Sequence, residues 1–214
     1  MLKEINNILV LSPHTDDGEL GAGGLIHQAI KQGVNVYYVA FSAAEDSVPE
    51  GFERDCLRVE VLNATSKLGL LKSNVEVLGY KVRSLPARRQ DVLDDLIKIR
   101  QSRKYDLVLT PNTTDIHQDH ATVTNEAIRA FKNTNIWGYE LIWNNLSFDS
   151  NCFVELSESD VQAKCAAMSE YKSQQSRNYT STDFILALAK TRGVQGSLDY
   201  SECFQVIRQF IRIY

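Results

Sequence analysis

Hydrophobic residues along this chain fall into short continuous runs that alternate with longer amphipathic segments. Residues 7–12 (NILVLS) and 105–110 (YDLVLT) are mostly apolar, which is typical of strands buried on both faces of a sheet. Residues 34–41 are rich in β-branched and aromatic side chains and indicate another strand. Between the strands at 7–12 and 34–41, residues 19–32 place apolar side chains on one side of a helix, and Gly33 follows where a C-terminal cap is expected.

The same alternation continues along the chain. It predicts helices at residues 53–68 and 87–103 and a strand at 74–78. The order β-α-β-α-β-α-β favours a Rossmann-like, three-layer α/β/α fold around a mostly parallel sheet. After residue 133 the pattern predicts strands at 137–143 and 152–156, helices at 158–171 and 183–190, and an ambiguous segment at 202–211. Because no linker or repeat divides the sequence, we expect a single domain over residues 1–214.

Composition narrows the function only by exclusion. Of the 214 residues, 43% are hydrophobic and 23% are charged, and the net charge of −4 gives no electrostatic reason to expect nucleic-acid binding. The sequence has neither a run of apolar residues long enough for a membrane span nor the pattern of a signal peptide, so we expect no stable membrane anchor and a cytoplasmic location. The four scattered cysteines form no CxxC pair, which favours a reduced protein. Homo-oligomer formation is left open.

Two polar clusters follow directly after the predicted strands at 7–12 and 105–110. They contain three of the four histidines: the first cluster has His14, Asp16, Asp17 and Glu19, and the second has Asp115, His117, Asp119 and His120. Ligands of parallel α/β sheets bind at the carboxyl ends of the strands, where these clusters would meet. An imidazole and a carboxylate three residues apart, with a second imidazole from the neighbouring strand end, give three ligands and one open position, as in catalytic zinc sites. Either Asp16 or Asp17 alone would be equally well explained as a helix cap.

These clusters resemble the signature elements of the LmbE-like, or PIG-L, family of zinc-dependent N-deacetylases, which are a His-Pro-Asp-Asp element and a later His-x-Asp-His element. Here they read HTDD from His14 and HQDH from His117. Three further segments are similar to the family: GELGAGG after the first element, KCAAMSEYKSQ at 164–174, and YSECF at 200–204. The resemblance extends over nearly the whole chain.

The resemblance implies a role for each residue of the two clusters. The implied zinc ligands are His14, Asp17 and His120, and Fe²⁺ or Co²⁺ could occupy the same set. Asp16 would be the general base that activates the attacking water. His117 would stabilise the oxyanion and help to protonate the leaving amine. Asp119 would hydrogen-bond a ligand imidazole and fix its tautomer.

Three other positions match the family pattern only in part or depart from it. Arg58 is similar in position to a family arginine that contacts substrate; Arg54 is a rival, and a solvated helix face is the simpler interpretation of either. Thr15 replaces the usual proline and so loosens the restraint on φ. Asp115 lies where some family members have a tyrosine that assists the oxyanion. An ionised carboxylate cannot donate that hydrogen bond, which would place more weight on His117.

The implied activity is hydrolysis of the N-acetyl group of an N-acetylglucosamine-type sugar or glycoconjugate, a small-molecule substrate, with release of acetate. One alternative is a metallo-β-lactamase-like hydrolase, whose His-x-His-x-Asp-His element is nearly matched by residues 115–120, although Asp115 takes the first histidine position. Another is a catalytically silent module that binds a metal or a sugar, although every proposed catalytic position holds a competent residue. A Rossmann-type nucleotide binder is disfavoured because the glycines at 18–24 do not spell GxGxxG.

Overall fold

The computed structural model describes residues 5–211, within which it has seven strands and six α-helices. The strands are β1 (Asn7–His14), β2 (Asn35–Ser42), β3 (Val75–Val77), β4 (Leu107–Pro111), β5 (Asn135–Tyr139), β6 (Cys152–Leu156) and β7 (Tyr200–Arg208). The helices are α1 (Asp17–Lys31), α2 (Cys56–Lys67), α3 (Arg89–Ser102), α4 (Gln118–Ala130), α5 (Glu158–Met168) and α6 (Thr182–Gly196). None of these helices has both the length and the apolar character needed to cross a membrane.

The seven strands form one sheet in the order β3-β2-β1-β4-β5-β7-β6. Strands β1 to β5 are paired in parallel, whereas β7 runs antiparallel to both β5 and β6. The two strands that precede the polar clusters, β1 and β4, are immediate neighbours, with Ile8 opposite Leu107 and Val10 opposite Leu109. The predicted α/β fold with a mostly parallel sheet is therefore confirmed.

Two hydrophobic cores lie on opposite faces of the sheet. Ile8 and Val10 of β1 pack into the core beneath α1, α2, α5 and α6. Leu9 and Leu11, which alternate with them, pack into the other core beneath α3 and α4. Because successive side chains of a strand point to opposite faces, a strand covered by helices on both sides must be apolar at every position. This arrangement explains the continuous NILVL run.

The structure differs from the sequence expectations mainly in the second half of the chain. Helix α4 (Gln118–Ala130) is absent from the sequence prediction, because its first turn carries the polar cluster and is typical of a loop. The ambiguous segment at 202–211 contains most of strand β7, which pairs with strands distant in sequence. Element ends also move by a few residues: α2 begins at Cys56 and not at residue 53, and α6 continues to Gly196.

Helix α1 is interrupted within the GELGAGG segment, at residues 18–24. Ala22 has non-helical dihedral angles (φ −143°, ψ 15°), and the amides of Gly24 and Leu25 donate to the carboxylate of Glu202 at 2.9 and 2.8 Å. Lys164 Nζ donates to the same carboxylate at 2.7 Å, so this buried charge is paired. Glu202 of β7 thus accepts the two backbone N–H groups that follow the break in the helix.

Candidate metal centre

The two polar clusters meet at the carboxyl ends of β1 and β4, as the topology requires. His14 is the last residue of β1, and Asp17 begins α1 after a two-residue turn. His117 is the N-cap of α4, and His120 lies in its first turn. Parallel pairing of β1 with β4 therefore brings all three histidines to one place.

Three potential ligand atoms form a nearly equilateral triangle. His14 Nδ1 lies 3.2 Å from Asp17 Oδ2, His120 Nε2 lies 3.2 Å from the same oxygen, and the two ring nitrogens are 3.2 Å apart. Ligand atoms about 2.0–2.1 Å from a tetrahedral zinc ion are separated by about 3.3 Å. The donor set of two imidazoles and a carboxylate, at this spacing, therefore fits a divalent transition metal. The backbone N–H of His14 also donates to Asp17 Oδ2 at 2.8 Å and helps to fix that oxygen.

The outer nitrogen of each imidazole in the triangle is bound to a carboxylate. His14 Nε2 is 2.9 Å from Asp119 Oδ2, and His120 Nδ1 is 2.7 Å from Asp115 Oδ2. When the outer N–H donates to a carboxylate, the inner nitrogen presents its lone pair, and carboxylates commonly orient metal-binding histidines in this way. The resemblance implied a hydrogen bond between Asp119 and a ligand imidazole without naming it; in the structure the carboxylate contacts the ring of His14.

The position of Asp115 differs from the expectation based on the family tyrosine. Its carboxylate does not line the pocket. It lies behind His120, where one oxygen accepts from the ring and the other accepts from the backbone N–H of His117 at 2.8 Å. Asp115 is therefore a support for His120, and it does not stand in for an oxyanion donor.

The charges and hydrogen bonds of His14, Asp17 and His120 favour a positive charge between the three ligand atoms. Burial lowers the pKa of His120, but the charge of Asp17 and hydrogen bonds to Asp115 and Asp17 outweigh burial and raise it to about 10. The pKa of His14 is likewise raised against burial by its hydrogen bonds to Asp119 and Asp17. Burial opposes ionisation of Asp17, yet the His120 charge and the histidine hydrogen bonds bring its pKa far below the usual range.

His117 lies beside the triangle, and its protonation state follows from its capping role. Its Nδ1 accepts a hydrogen bond from the backbone N–H of Asp119 at 3.2 Å, which leaves the proton of the neutral ring on Nε2. Burial, followed by the neighbouring His120 and His14, lowers its pKa, so the ring is neutral at pH 7. The ring nitrogens of His14, His117 and His120 also lie within 4.8 Å of one another, so these three histidines form a second possible metal-binding set.

Asp16 occupies a strained turn between β1 and α1. Its φ is 87°, in the left-handed region that residues other than glycine rarely adopt, and its side chain does not cap the helix. Burial raises its pKa well above the usual range, and the charges of Asp17 and Glu19 raise it further. Backbone strain of this kind is often maintained at functional sites. A carboxyl group with a raised pKa is suited to accept and return a proton.

A pocket of about 260 Å³ opens over this centre. It is lined by His14, Thr15, Asp16, Asp17, Ala44, Ser47, Leu57, Val82, Arg83, His117, His120, Trp143, Asn144, Gln174, Arg177 and Tyr179. The lining thus includes every proposed ligand and both proposed catalytic residues. Thr15 Oγ1 is buried and has no hydrogen-bond partner among residues 5–211.

Sequence reasoning missed the side chains that form the outer part of the pocket. These are Arg83, Trp143, Asn144, Arg177 and Tyr179, which come from three separate segments of loop and short 3-10 helix with no periodic pattern. A signal was present for the neighbouring Gln174, because it ends the segment at 164–174 that resembles the family. In that segment Tyr171 donates to the buried Glu19 at 2.7 Å and Ser173 donates to Glu60 at 2.6 Å, so both support the packing beneath the site.

Arg58, the expected substrate contact, is not among the residues that line the pocket. Its guanidinium donates to Glu45 at 2.7 Å and to the carbonyl oxygens of Val77 and Leu78 at 3.2 and 3.3 Å. Arg54, its rival, pairs with Asp46. Arg58 therefore ties α2 to β3 and the loop after β2.

Comparison with solved structures places this fold in a wider group. The conserved protein TT1542 of Thermus thermophilus is 22% identical, with a TM-score of 0.78 over 98% of this chain and 97% of that one. The N,N'-diacetylchitobiose deacetylase of Pyrococcus horikoshii is also 22% identical, with a TM-score of 0.78 over 96% and 85%. GalB of Pseudomonas putida, a 4-carboxy-2-hydroxymuconate hydratase, is 18% identical with a TM-score of 0.76 over 98% and 99%. A deacetylase and a hydratase thus share this fold, so the fold alone does not determine the reaction.

The fold and the site define an α/β protein with a histidine and carboxylate centre, suited to a metal ion, at the carboxyl edge of a parallel sheet. Residues 9–131, more than half of the chain, match the PIG-L family, described as GlcNAc-PI de-N-acetylase. The chain belongs to the PIG-L family, and the resemblance seen in the sequence is confirmed.

Proposed function

We propose that this chain is a zinc-dependent N-deacetylase that hydrolyses the acetamide of an N-acetylglucosamine-type sugar or glycoconjugate and releases acetate. The observation that carries the proposal is the triangle of His14 Nδ1, Asp17 Oδ2 and His120 Nε2, with edges of 3.2 Å, beside a carboxyl group of raised pKa. Membership in a de-N-acetylase family supports the same reaction.

The proposed metal ligands are His14, Asp17 and His120. Their mixed nitrogen and oxygen donors suit Zn²⁺, and Fe²⁺ or Co²⁺ could bind the same set. Bound zinc would polarise the acetamide carbonyl and lower the pKa of water to about 7, which are the two requirements of amide hydrolysis.

The structure favours Asp17 over His117 as the third ligand. A histidine that binds a metal through Nε2 needs its proton on Nδ1, but Nδ1 of His117 accepts the backbone N–H of Asp119. Asp17 has no such conflict, because its Oδ2 already lies equally far from both ring nitrogens. We therefore assign His117 to the substrate and not to the metal.

Two side chains then perform the proton chemistry. Asp16 removes a proton from the attacking water, and its high pKa allows it to hold that proton until the carbon–nitrogen bond breaks. The Nε2–H of His117 donates a hydrogen bond to the oxyanion that develops on the carbonyl oxygen. The proton held by Asp16 passes to the departing amine, with His117 as the second donor beside it.

The pocket lining supports a sugar as the substrate. Trp143 and Tyr179 lie in parallel, with ring centroids 3.9 Å apart and an angle of 12° between the rings, and together they form an aromatic wall. The side chains of Asn144 and Gln174 add amide donors and acceptors to the same pocket. Pockets that combine apolar surfaces with a few polar groups suit small ligands of mixed polarity, such as amino sugars.

The test is acetate release by the purified protein from a panel of N-acetylglucosamine glycosides, with the metal content measured in each sample. We expect release that requires both metal and Asp16. Asp16→Asn should keep zinc and lose about 10²- to 10⁴-fold in turnover, the usual contribution of a general base. His120→Ala should lose zinc as well. Full activity of metal-replete Asp16→Asn would exclude the assigned base, and no release from any acetylated sugar would argue against the function.

A further inference from the structure

We propose that the acylated substrate carries an anionic group, a phosphate or a carboxylate, and that Arg83 and Arg177 bind this group at the mouth of the pocket. The inference rests on the proposed function, since it names the class of substrate that the same pocket would take. It follows from the contacts of the two guanidinium groups, the anchoring of Arg83 and the position of Arg177 beside the aromatic wall of the pocket.

The two arginines that line the pocket have no carboxylate partner among residues 5–211. Arg83 Nη2 contacts the hydroxyl of Ser47 at 3.4 Å, and Arg177 Nη1 donates to the hydroxyl of Tyr179 at 2.5 Å. Arginines elsewhere are commonly paired with carboxylates, as is seen for Arg54, Arg58, Arg88, Arg89, Arg129 and Arg192. Hydroxyl contacts leave both guanidinium groups of the pocket without a carboxylate partner, and with N–H groups free to donate.

The backbone of Arg83 is fixed to the metal centre. Its N–H donates to Asp119 Oδ2 at 2.5 Å, and its carbonyl accepts from Gln118 Nε2 at 2.9 Å. These contacts hold Arg83 at φ 64°, a conformation that is unfavourable for a residue with a side chain. The carboxylate that orients His14 therefore also sets the position from which the Arg83 side chain extends.

Arg177 comes from a different part of the sequence, the segment between α5 and α6. It precedes Tyr179, whose ring stacks on Trp143. It lines the same pocket as Asp16, the proposed base. A sugar ring placed against the aromatic wall would therefore have this guanidinium close to one of its substituents.

An anion would supply the partner that the two guanidinium groups lack. The acidic residues that line the pocket are Asp16 and Asp17, which belong to the proposed metal and catalytic centre. Neither is within salt-bridge distance of Arg83 or Arg177 among residues 5–211. A neutral sugar would leave both unpaired, whereas phosphate and carboxylate match the planar guanidinium with charge-assisted and often bidentate hydrogen bonds. Complementary charge of this kind contributes mainly to specificity.

A matched set of substrates tests this inference directly. The zinc-loaded protein is assayed for acetate release from N-acetylglucosamine, from its 1-phosphate and from N-acetylglucosaminuronic acid, so that phosphate and carboxylate are separate arms. We expect kcat/KM for at least one anionic substrate to exceed that of the neutral sugar by about ten- to a hundredfold, the range for hydrogen bonds to charged groups. Arg83→Gln and Arg177→Gln should each reduce this preference by about tenfold, through a higher KM for the anionic substrate.

Arg88→Gln is the control, because Arg88 is an exposed arginine that pairs with Asp91 and does not line the pocket. It should leave the preference unchanged. Equal kcat/KM for neutral and anionic sugars, or a preference that neither pocket variant alters, would overturn the inference.

A binding experiment separates this inference from the proposed reaction. Titration calorimetry compares glucosamine 1-phosphate with glucosamine as ligands of the wild-type protein and of the two pocket variants. Tighter binding of the phosphate, weakened in both variants, would support the anion site even if no acetate were released, and would then count against the deacetylase function alone. Equal binding of both amines would overturn the anion site even if acetate were released.

Discussion

Asp119→Asn is expected to weaken zinc binding without removing any proposed ligand. The carboxylate of Asp119 is fully buried and accepts three N–H groups: one oxygen accepts from His14 Nε2 and the amide of Arg83, and the other accepts from the amide of Leu85. An asparagine has one acceptor oxygen and one NH₂ group. Whichever way it is placed, at least one of these N–H groups then faces a donor.

The two orientations have different consequences for the ligand. When the asparagine oxygen faces His14, it accepts from the ring and keeps the tautomer of His14, but the NH₂ group then faces the backbone N–H of Leu85. With its NH₂ towards His14, it forces the proton of His14 onto Nδ1, which is the proposed ligand atom. Loss of a carboxylate behind a ligand typically costs 10- to 100-fold in metal affinity, or about 1.4–2.7 kcal/mol. The unpaired buried N–H adds about 1–3 kcal/mol of destabilisation, or a fall in Tm of roughly 2–12 °C.

The assay is competition for zinc between the metal-free protein and a chromophoric chelator, with Tm measured on the same samples. Asp160→Asn is the matched control, because Asp160 is also a buried carboxylate bound to one histidine ring, His27, and to a backbone amide, that of Ser157. The control should lower Tm and leave the Kd for zinc unchanged. A folded Asp119→Asn protein that binds zinc as tightly as the wild type would refute the assigned role of the carboxylate.

Three further predictions concern packing, acid stability and metal content. Gly21→Ala should destabilise the folded protein by about 1–3 kcal/mol, because the new Cβ would lie 2.2 Å from Tyr139 Cδ2. The loss would be seen as a lower urea midpoint. Gly79→Ala is the control and should be nearly neutral, because no atom lies within 4 Å of its Cβ position. Burial raises the pKa of Asp160, but hydrogen bonds from Ser157 outweigh burial, and the pKa in the folded state is lowered. The contribution of the Asp160 carboxylate to stability is therefore complete above the unfolded-state pKa near 3.9 and is lost as the pH falls below that value. The stability difference between wild type and Asp160→Asn should consequently shrink in acid. Removal of metal by a chelator should lower Tm and added zinc should restore it, whereas a Tm insensitive to both would contradict a metal site in the folded state.

The parts of the fold that could be predicted from sequence are those in which one pattern has one structural interpretation. Strands β1 and β4 are apolar at successive positions because helices cover both faces, and this made them recognisable. Helix α4 was missed because its first turn carries polar residues of the candidate site. These residues interrupt the apolar periodicity by which a helix is recognised in a sequence. Strand β7 was left ambiguous because its partners, β5 and β6, are set by tertiary pairing that no local pattern records.

The candidate site divides in the same way. Residues 14–19 hold one local cluster and residues 115–120 hold the other, and the rule that ligands bind at the carboxyl ends of parallel strands was enough to bring the two together. Arg83 and Arg177 come from loops, and Asp115 lies behind a ligand and not in front of one. Such positions depend on loop conformation and hydrogen bonding, which only coordinates provide.

The place of β7 in the sheet has a consequence for synthesis. A ribosome makes β5 and β6 before β7, yet β6 pairs within residues 5–211 with β7 alone. A growing chain therefore cannot add β6 to the sheet, nor supply Glu202 to the broken helix α1, until translation has passed residue 208. Until that moment the edge of β5 remains open, so a nascent chain at this stage is exposed to mispairing and to the chaperones that prevent it.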